Sequence, residues 1–208
     1  MLENARQLAE YAAVAQAAGL VPLVEPEILI DGGHGVERSG DVGRRVLAEL
    51  VAALHRQPGL AWGGTLLKLQ MIMPGADCPA RAGPDEIAAH TLRVLRCTVP
   101  PAVPGVAFLS GGQTEEQATV NLHTINRAAA ESGGAPWALT FSFGRALQAS
   151  VLSVWGGKAK NSSAARAMAE RLAAANAAAR RGEYVGPHPS VLAGRGNLRE
   201  TFRGHTAN

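Results

Sequence analysis

The segment Gly64-Thr65-Leu66-Leu67-Lys68 decides the fold class, because it is a short, mostly apolar run that ends in a charged residue. Runs of this length are typical of buried strands in a parallel sheet. Polar residues also follow three further apolar runs: Leu20-Val21-Pro22-Leu23-Val24, Val106-Ala107-Phe108-Leu109 and Ala138-Leu139-Thr140-Phe141. The sequence therefore predicts four strands that carry polar groups at their carboxyl ends.

Helical patterns occupy the segments around these runs. Apolar residues recur at helical spacing in residues 2–18 and 41–56. Pro84 has the position of a first helical residue, and the segment Thr114-Glu115-Glu116-Gln117 has the form of a capping box, which starts a helix predicted to run through Asn126. Two further helices are predicted at residues 145–153 and 162–181. This alternation of strands and helices predicts an α/β fold with a parallel sheet.

The predicted units are too few for a closed barrel. A (β/α)8, or TIM, barrel needs eight strands and usually about 250 residues, whereas the chain has 208 residues. We therefore predict a half-barrel of about four βα units over residues 1–184. Residues 185–208 are rich in glycine, proline and arginine, and they are predicted to form a flexible C-terminal tail.

The composition favours a cytoplasmic globular domain. Hydrophobic residues make up 47% of the chain and charged residues 18%, and no apolar run is long enough to span a bilayer. Cys78 and Cys97 lack the spacing of a disulfide framework or a zinc site. The formal charge of +3 comes from scattered basic residues without a nucleic-acid motif, so we expect neither a nucleic-acid nor a membrane partner.

Lys68 is the first candidate for chemistry, because burying an ammonium group without a partner is costly. One explanation is structural: the amine pairs with a glutamate or reaches solvent at the strand end. The other is functional, because burial disfavours the charged form, and Schiff-base chemistry requires a neutral, nucleophilic amine. The sequence pattern alone leaves these two explanations equally open.

Glu25 and Glu27 are candidate partners for that lysine. They lie two residues apart, so both would face the same side of a regular strand, although Pro26 between them interrupts the pattern. A glutamate near an amine can transfer the protons that imine formation requires. Taken alone, such a pair is more often an ion-pair partner or an acid at a helix start.

A second group of polar residues follows the third and fourth strands. It comprises Ser110, Gly111, Gly112, Ser142, Gly144 and Arg145. Glycines let backbone N–H groups approach an anion, helix N-termini favour negative charge, and arginine matches phosphate oxygens. Ordinary turns and phosphate binding are about equally good explanations of this pattern.

Five blocks of sequence resemble class I fructose-bisphosphate aldolases, in the family's order and at nearly its spacing. The blocks are residues 21–29, 64–68, 98–103, 108–113 and 136–148. The similarity runs to about Tyr184 and implies barrel strands five to eight. It further implies Schiff-base cleavage of fructose 1,6-bisphosphate to dihydroxyacetone phosphate and glyceraldehyde 3-phosphate, a step of glycolysis and gluconeogenesis.

The resemblance also implies roles for individual residues. Lys68 would form the imine, Glu25 would assist its proton transfers, and Glu27 would be a second active-site carboxylate. The group after the third and fourth strands, comprising Ser110, Gly111, Gly112, Ser142, Gly144 and Arg145, would hold the ketose C1 phosphate. The mechanism uses no metal and no cofactor, because the protonated imine itself accepts the electrons of the broken bond.

The chain also departs from the family pattern. The family follows its lysine with proline and asparagine, whereas Leu69 and Gln70 stand here. The first four barrel strands are absent, together with acid/base residues and the second phosphate site. We therefore expect either a homo-oligomer or pairing with a missing N-terminal half. Two other hypotheses remain: an inactive remnant or interaction module that keeps a sugar-phosphate site, and a different Schiff-base lyase.

Overall fold

A computed structural model describes residues 1–192, which form one parallel sheet with helices. The strands are β1 (Leu23–Val24), β2 (Leu66–Leu69), β3 (Gly105–Phe108) and β4 (Ala138–Phe141). They lie side by side in chain order, and every neighbouring pair is parallel. Lys68 lies opposite Ala107, which lies opposite Thr140. The carboxyl ends of all four strands therefore meet at one edge of the sheet.

Within residues 1–192, one α-helix precedes the strands and five others connect or follow them. They are α1 (Leu2–Ala17), α2 (Val36–His55), α3 (Pro84–Thr98), α4 (Glu115–Glu131), α5 (Arg145–Trp155) and α6 (Ser162–Ala179). Single 3-10 turns lie at Trp62–Gly64 and Ala159–Asn161. Two helices begin where the sequence predicts. Pro84 is the first residue of α3, and Thr114 forms a capping box with Gln117 at the start of α4.

The structure confirms the predicted elements but moves several boundaries, most clearly those of β1, α2 and α4. Strand β1 covers only Leu23–Val24, because Pro22 has no N–H to donate, although its carbonyl accepts from the Leu66 amide at 3.0 Å. Helix α2 begins at Val36, five residues earlier than predicted, because Gly40, a poor helix former just before the predicted start, is buried in its packed face. Helix α4 continues past Asn126 to Glu131.

The two faces of the sheet have different environments. Side chains on the helix-covered face are buried, including Val24, Leu67, Val106, Phe108 and Leu139. The opposite face carries Leu66, Lys68, Ala107 and Thr140, which are all partly exposed. The alternation of side chains along β2 therefore directs Lys68 away from the apolar core.

The C-terminal segment was predicted to be a tail, and its residues 193–208 lie outside the described part of the chain. Within the remainder, Ser190 and Val191 form hydrogen bonds with the helices. None of the helices in residues 1–192 is both long enough and apolar enough to cross a membrane.

Substituting Leu67→Ala should lower the free energy of unfolding by about 2–5 kcal/mol, because Leu67 is fully buried against the helices. Leu66→Ala is the matched control, since Leu66 lies on the opposite, partly exposed face of the same strand and should cost less. Urea denaturation of both variants measures the difference. Equal losses would contradict the assignment of the two faces.

Candidate active site

An ion pair joins Lys68 to Glu25 at the carboxyl end of the sheet. The Lys68 Nζ atom lies 3.0 Å from Oε1 and 3.1 Å from Oε2 of Glu25. The two side chains are 22% and 38% exposed, so both remain within reach of a ligand from the open side. The amine therefore has both features of the structural explanation: a glutamate partner and partial access to solvent.

Strand register explains why these two residues meet. Leu23 pairs with Leu66 and Val24 with Leu67. Glu25 directly follows β1, and Lys68 is the next residue of β2. Both side chains follow the alternation of their strands onto the face without helices. Glu27 is exposed and, within the described residues, forms no ion pair with Lys68. The structure therefore brings one of the two predicted carboxylates to the amine.

The segment that follows Glu27 is attached to the segment that follows β2. The Ile28 amide donates to Oε1 of Gln70 at 3.1 Å, and the Ala76 amide donates to the Ile30 carbonyl at 2.8 Å. Gly75 permits the close approach, because a Cβ atom there would lie 2.1 Å from the Gly32 carbonyl oxygen. Gln70, which departs from the family pattern, thus fixes the loop that carries the carboxylates.

The glycine-rich turn after β3 leads directly into α4. The Gln113 amide donates to the Ser110 carbonyl at 3.1 Å, and Gly112 has a φ of +78°, a conformation that favours glycine. A Cβ atom at Gly112 would lie 2.5 Å from the Cδ1 atom of Ile30. Ser110 is buried, and Gly111 is partly exposed. The turn therefore packs against the same loop that Gln70 fixes.

The turn after β4 leads into α5 in the same way. The Ser142 amide donates to the Phe108 carbonyl at 2.8 Å, which continues the pairing of β3 with β4. Gly144 is the N-cap of α5, and Arg145 is its exposed first residue. Because β3 and β4 are adjacent and parallel, the predicted phosphate residues follow neighbouring strand ends at the same edge as Lys68.

Sequence reasoning missed a buried carboxylate beside these turns. Glu115, the first residue of α4, is 2% exposed. Its Oε1 atom accepts from the Ser150 amide at 2.9 Å, and its Oε2 atom accepts from the hydroxyl groups of Ser150 and Ser190. The capping-box pattern marks this position only as an acid in a first helical turn. No sequence signal connects it to residues 35 and 75 positions away.

His188 is the second residue in this region that gains its role from tertiary contacts. Its Nδ1 atom accepts from the Ser190 amide at 3.2 Å, so in the neutral ring Nε2 carries the proton and donates to Thr119 Oγ1 at 3.0 Å. Burial lowers the pKa of His188, while Glu116 and Glu115 act in the opposite direction. Burial also lowers the pKa of His123, whose ring lies 6.3 Å from that of Tyr184.

One group of possible metal ligands is present among the described residues. Atoms of Glu37, Glu86 and His90 lie within 4.8 Å of one another, and both glutamates are exposed. These residues belong to α2 and α3, in the helix layer rather than on the sheet face that carries Lys68. The group therefore adds nothing to the arrangement around the amine.

Comparison with known proteins places this geometry in a family. The family model described as glycolytic fructose-bisphosphate aldolase class-I matches residues 1–201. The chain belongs to the class I fructose-bisphosphate aldolase family. Fructose-bisphosphate aldolase C from Rattus norvegicus is 51% identical over 186 residues, which are 89% of this chain and 50% of the rat protein. A cytosolic fructose-bisphosphate aldolase from Arabidopsis thaliana is 51% identical over 88% of this chain and 46% of the plant protein.

A solved aldolase structure extends the similarity to the fold. The fructose-bisphosphate aldolase from Plasmodium falciparum, in complex with TRAP and a small-molecule inhibitor, matches with a TM-score of 0.85 at 48% identity. The match covers 89% of this chain and 52% of that chain. The chain thus spans about half the length of the aldolases that it matches. This confirms both the family resemblance and the predicted half of a TIM barrel.

Acidification should destabilise the protein through His188. Because burial lowers its pKa, the unfolded chain takes up a proton first, at a pKa near 6.5, and stability is lost as the pH falls through and below that value. Thermal unfolding should therefore show a larger fall in Tm between about pH 7.5 and about pH 5.5 for the unsubstituted protein than for His188→Gln. Above about pH 7.5 the difference between the two proteins should stay constant. Parallel curves across the whole range would contradict this.

Proposed function

We propose that this chain supplies the Schiff-base half of a class I fructose-bisphosphate aldolase, a lyase. The enzyme reversibly cleaves fructose 1,6-bisphosphate to dihydroxyacetone phosphate and glyceraldehyde 3-phosphate. The observation that carries the proposal is the contact of the Lys68 amine with both carboxylate oxygens of Glu25, at 3.0 and 3.1 Å. A strand lysine in this position is the group that the aldolase reaction needs.

The first stage of the reaction uses Lys68 and Glu25. Glu25 accepts a proton from the ammonium group, and the freed amine attacks the ketone carbon C2 of the sugar. The same carboxyl group returns this proton to the oxygen of the carbinolamine and then transfers a second proton from the nitrogen to that oxygen, which leaves as water. A protonated imine remains. The reaction therefore requires the carboxylate to stay within hydrogen-bond reach of Nζ, as it does here.

The second stage uses the imine as the acceptor of electrons. A base on the further strands of the barrel takes the proton of the C4 hydroxyl group, and the C3–C4 bond breaks. Its electron pair moves toward the iminium nitrogen, which leaves an enamine and releases the aldehyde product. Protonation at C3 and hydrolysis then release dihydroxyacetone phosphate and regenerate Lys68. Glu27, which is exposed near the start of the loop after β1, is the second carboxylate that we assign to this site.

The phosphate on C1 is held at the two turns after β3 and β4. Ser110, Gly111 and Gly112 form the first group of ligands, and Ser142, Gly144 and Arg145 form the second. Within the described residues, the amides of Gly111 and Gly112 donate to no backbone carbonyl. Two helix N-termini and one guanidinium group then provide favourable electrostatics for a dianion.

Completion of the barrel requires a further set of strands. Strand β1 pairs only with β2, and β4 only with β3, so one edge of each is open, and the sheet face that carries Lys68 lacks a cover among the described residues. Open edges of this kind promote association. We propose that an N-terminal half of the barrel covers this face, or a second copy of the chain in a homo-oligomer. The cytosolic relative supports a cytoplasmic location.

Borohydride trapping tests the imine. The chain, co-expressed with the half of the rat relative that it does not match, is incubated with dihydroxyacetone phosphate and reduced. Mass spectrometry should locate a covalent adduct on Lys68. Lys68→Arg should abolish the adduct, and Glu25→Gln should slow its formation about a hundredfold, because proton transfer would lack its carboxylate.

The control is Lys158→Arg, which changes an exposed lysine after α5 and should leave the adduct unchanged. Cleavage of fructose 1,6-bisphosphate should continue in the presence of a chelator. An adduct on another lysine, or no adduct, would contradict the proposal. Inhibition by the chelator would contradict the metal-free mechanism.

The oligomeric state of the isolated chain tests the proposal that further strands complete the barrel. Native mass spectrometry of the isolated chain should show dimers or larger assemblies, and co-expression with the N-terminal half should convert them to a complex of defined stoichiometry with aldolase activity. A well-dispersed monomer that unfolds cooperatively would show that the open edges need no partner.

A further inference from the structure

The buried carboxylate of Glu115 lies where the two proposed phosphate-binding turns lead into their helices. Glu115 directly follows the turn of residues 110–114, and Ser150 belongs to α5, which begins at Arg145. The Ser150 amide donates to Oε1 of Glu115 at 2.9 Å, and the Ser150 hydroxyl donates to Oε2. The two helices are thus connected within a short distance of the turns that precede them.

A segment near the C-terminus completes the surroundings of this carboxylate. The Ser190 hydroxyl donates to Oε2 of Glu115 at 2.5 Å, and the Val191 amide donates to Oγ of Ser150 at 3.1 Å. A carboxylate that is 2% exposed is costly unless several donors compensate it. Ser190 supplies one of the three donors, so the Glu115–Ser150 connection depends on this segment.

His188 attaches the same segment to α4 at a second point and, through Thr119, to α6. Its Nε2 atom lies 3.0 Å from Oγ1 of Thr119 in α4, and Thr119 Oγ1 lies 3.0 Å from Oδ1 of Asn176 in α6. The Ser190 amide donates to Nδ1 of His188 at 3.2 Å. Residues 188–191 therefore contact α4 and α5 directly and reach α6 through Thr119. We call these four residues the C-terminal strap.

We propose that Glu115 and Ser190 are positioning residues for the phosphate site, so that the C-terminal strap sets the affinity for a phosphate monoester. The inference deepens the proposed function and rests on it. Two turns on separate helices can contact one phosphate group only if their spacing is fixed, and buried charged hydrogen bonds are strong enough to fix it. Neither residue contacts the ligand itself.

The substitution Glu115→Gln distinguishes a positioning role from a direct effect of the negative charge on phosphate affinity. Removing a negative charge close to an anion site should increase phosphate affinity if only charge matters. If the carboxylate fixes the spacing of α4 and α5, affinity should fall, because the amide nitrogen of glutamine cannot accept hydrogen bonds from the serine donors. The sign of the change therefore distinguishes positioning from charge.

Inorganic phosphate binding to the co-expressed complex, measured by isothermal titration calorimetry, tests the inference. Ser190→Ala and Glu115→Gln should each raise the Kd about tenfold, which corresponds to ~1.4 kcal/mol. Ser132→Ala is the matched control, since Ser132 caps the opposite end of α4 and should leave the Kd unchanged. In borohydride trapping, the half-saturating concentration of dihydroxyacetone phosphate should rise while the maximal rate at Lys68 stays the same.

An unchanged Kd for Ser190→Ala, or a lower Kd for Glu115→Gln, would overturn the inference. Circular dichroism and thermal unfolding of each variant show whether it is folded, and a tenfold rise in Kd counts only for a folded variant. If Glu115→Gln does not fold, Ser190→Ala alone decides, because it removes one partly buried donor and leaves the carboxylate bonded to Ser150. Phosphate binding that follows the prediction without any adduct on Lys68 would contradict the proposed function but not the positioning role.

Discussion

The parallel pairing of β2 with its two neighbours is the constraint on which the rest of the structure depends. Because all strands run in the same direction, their carboxyl ends lie along one edge, and the turns that follow them become neighbours. Leu67 and Leu69 enter the apolar layer under the helices, and this fixes Lys68 on the other face. A shift of one residue in register would bury the amine in the core.

Helix packing on one face gives the chain its stability and leaves the other face for chemistry. Leu67 and Leu69 of β2 and Val106 and Phe108 of β3 are almost completely buried. Lys68 and Thr140 keep access to the open side. The loop after β1 is held against this edge by Gln70, and the turn after β3 packs on Ile30 of that loop. The site is therefore assembled from segments that support one another, although they are distant in sequence.

The C-terminal segment also takes part in these mutually supporting contacts. Glu115 joins α4 to α5, and Ser190 and His188 attach residues beyond α6 to that junction. A segment that composition describes as a tail thus takes part in the contacts behind the candidate phosphate turns. Because burial lowers the pKa of His188, these contacts depend on pH as well as on packing.

Sequence alone determined the order of elements, the parallel sheet and the family. Apolar runs with polar ends, the proline at the start of α3 and the capping box of α4 are local signals, and they act within a few residues. Only the tertiary structure decided that Glu25 rather than Glu27 contacts Lys68, that α2 begins at Val36, and that Glu115 is buried beside Ser190. Such contacts join residues far apart in the chain, and their free energies depend on burial and geometry, which no local pattern contains.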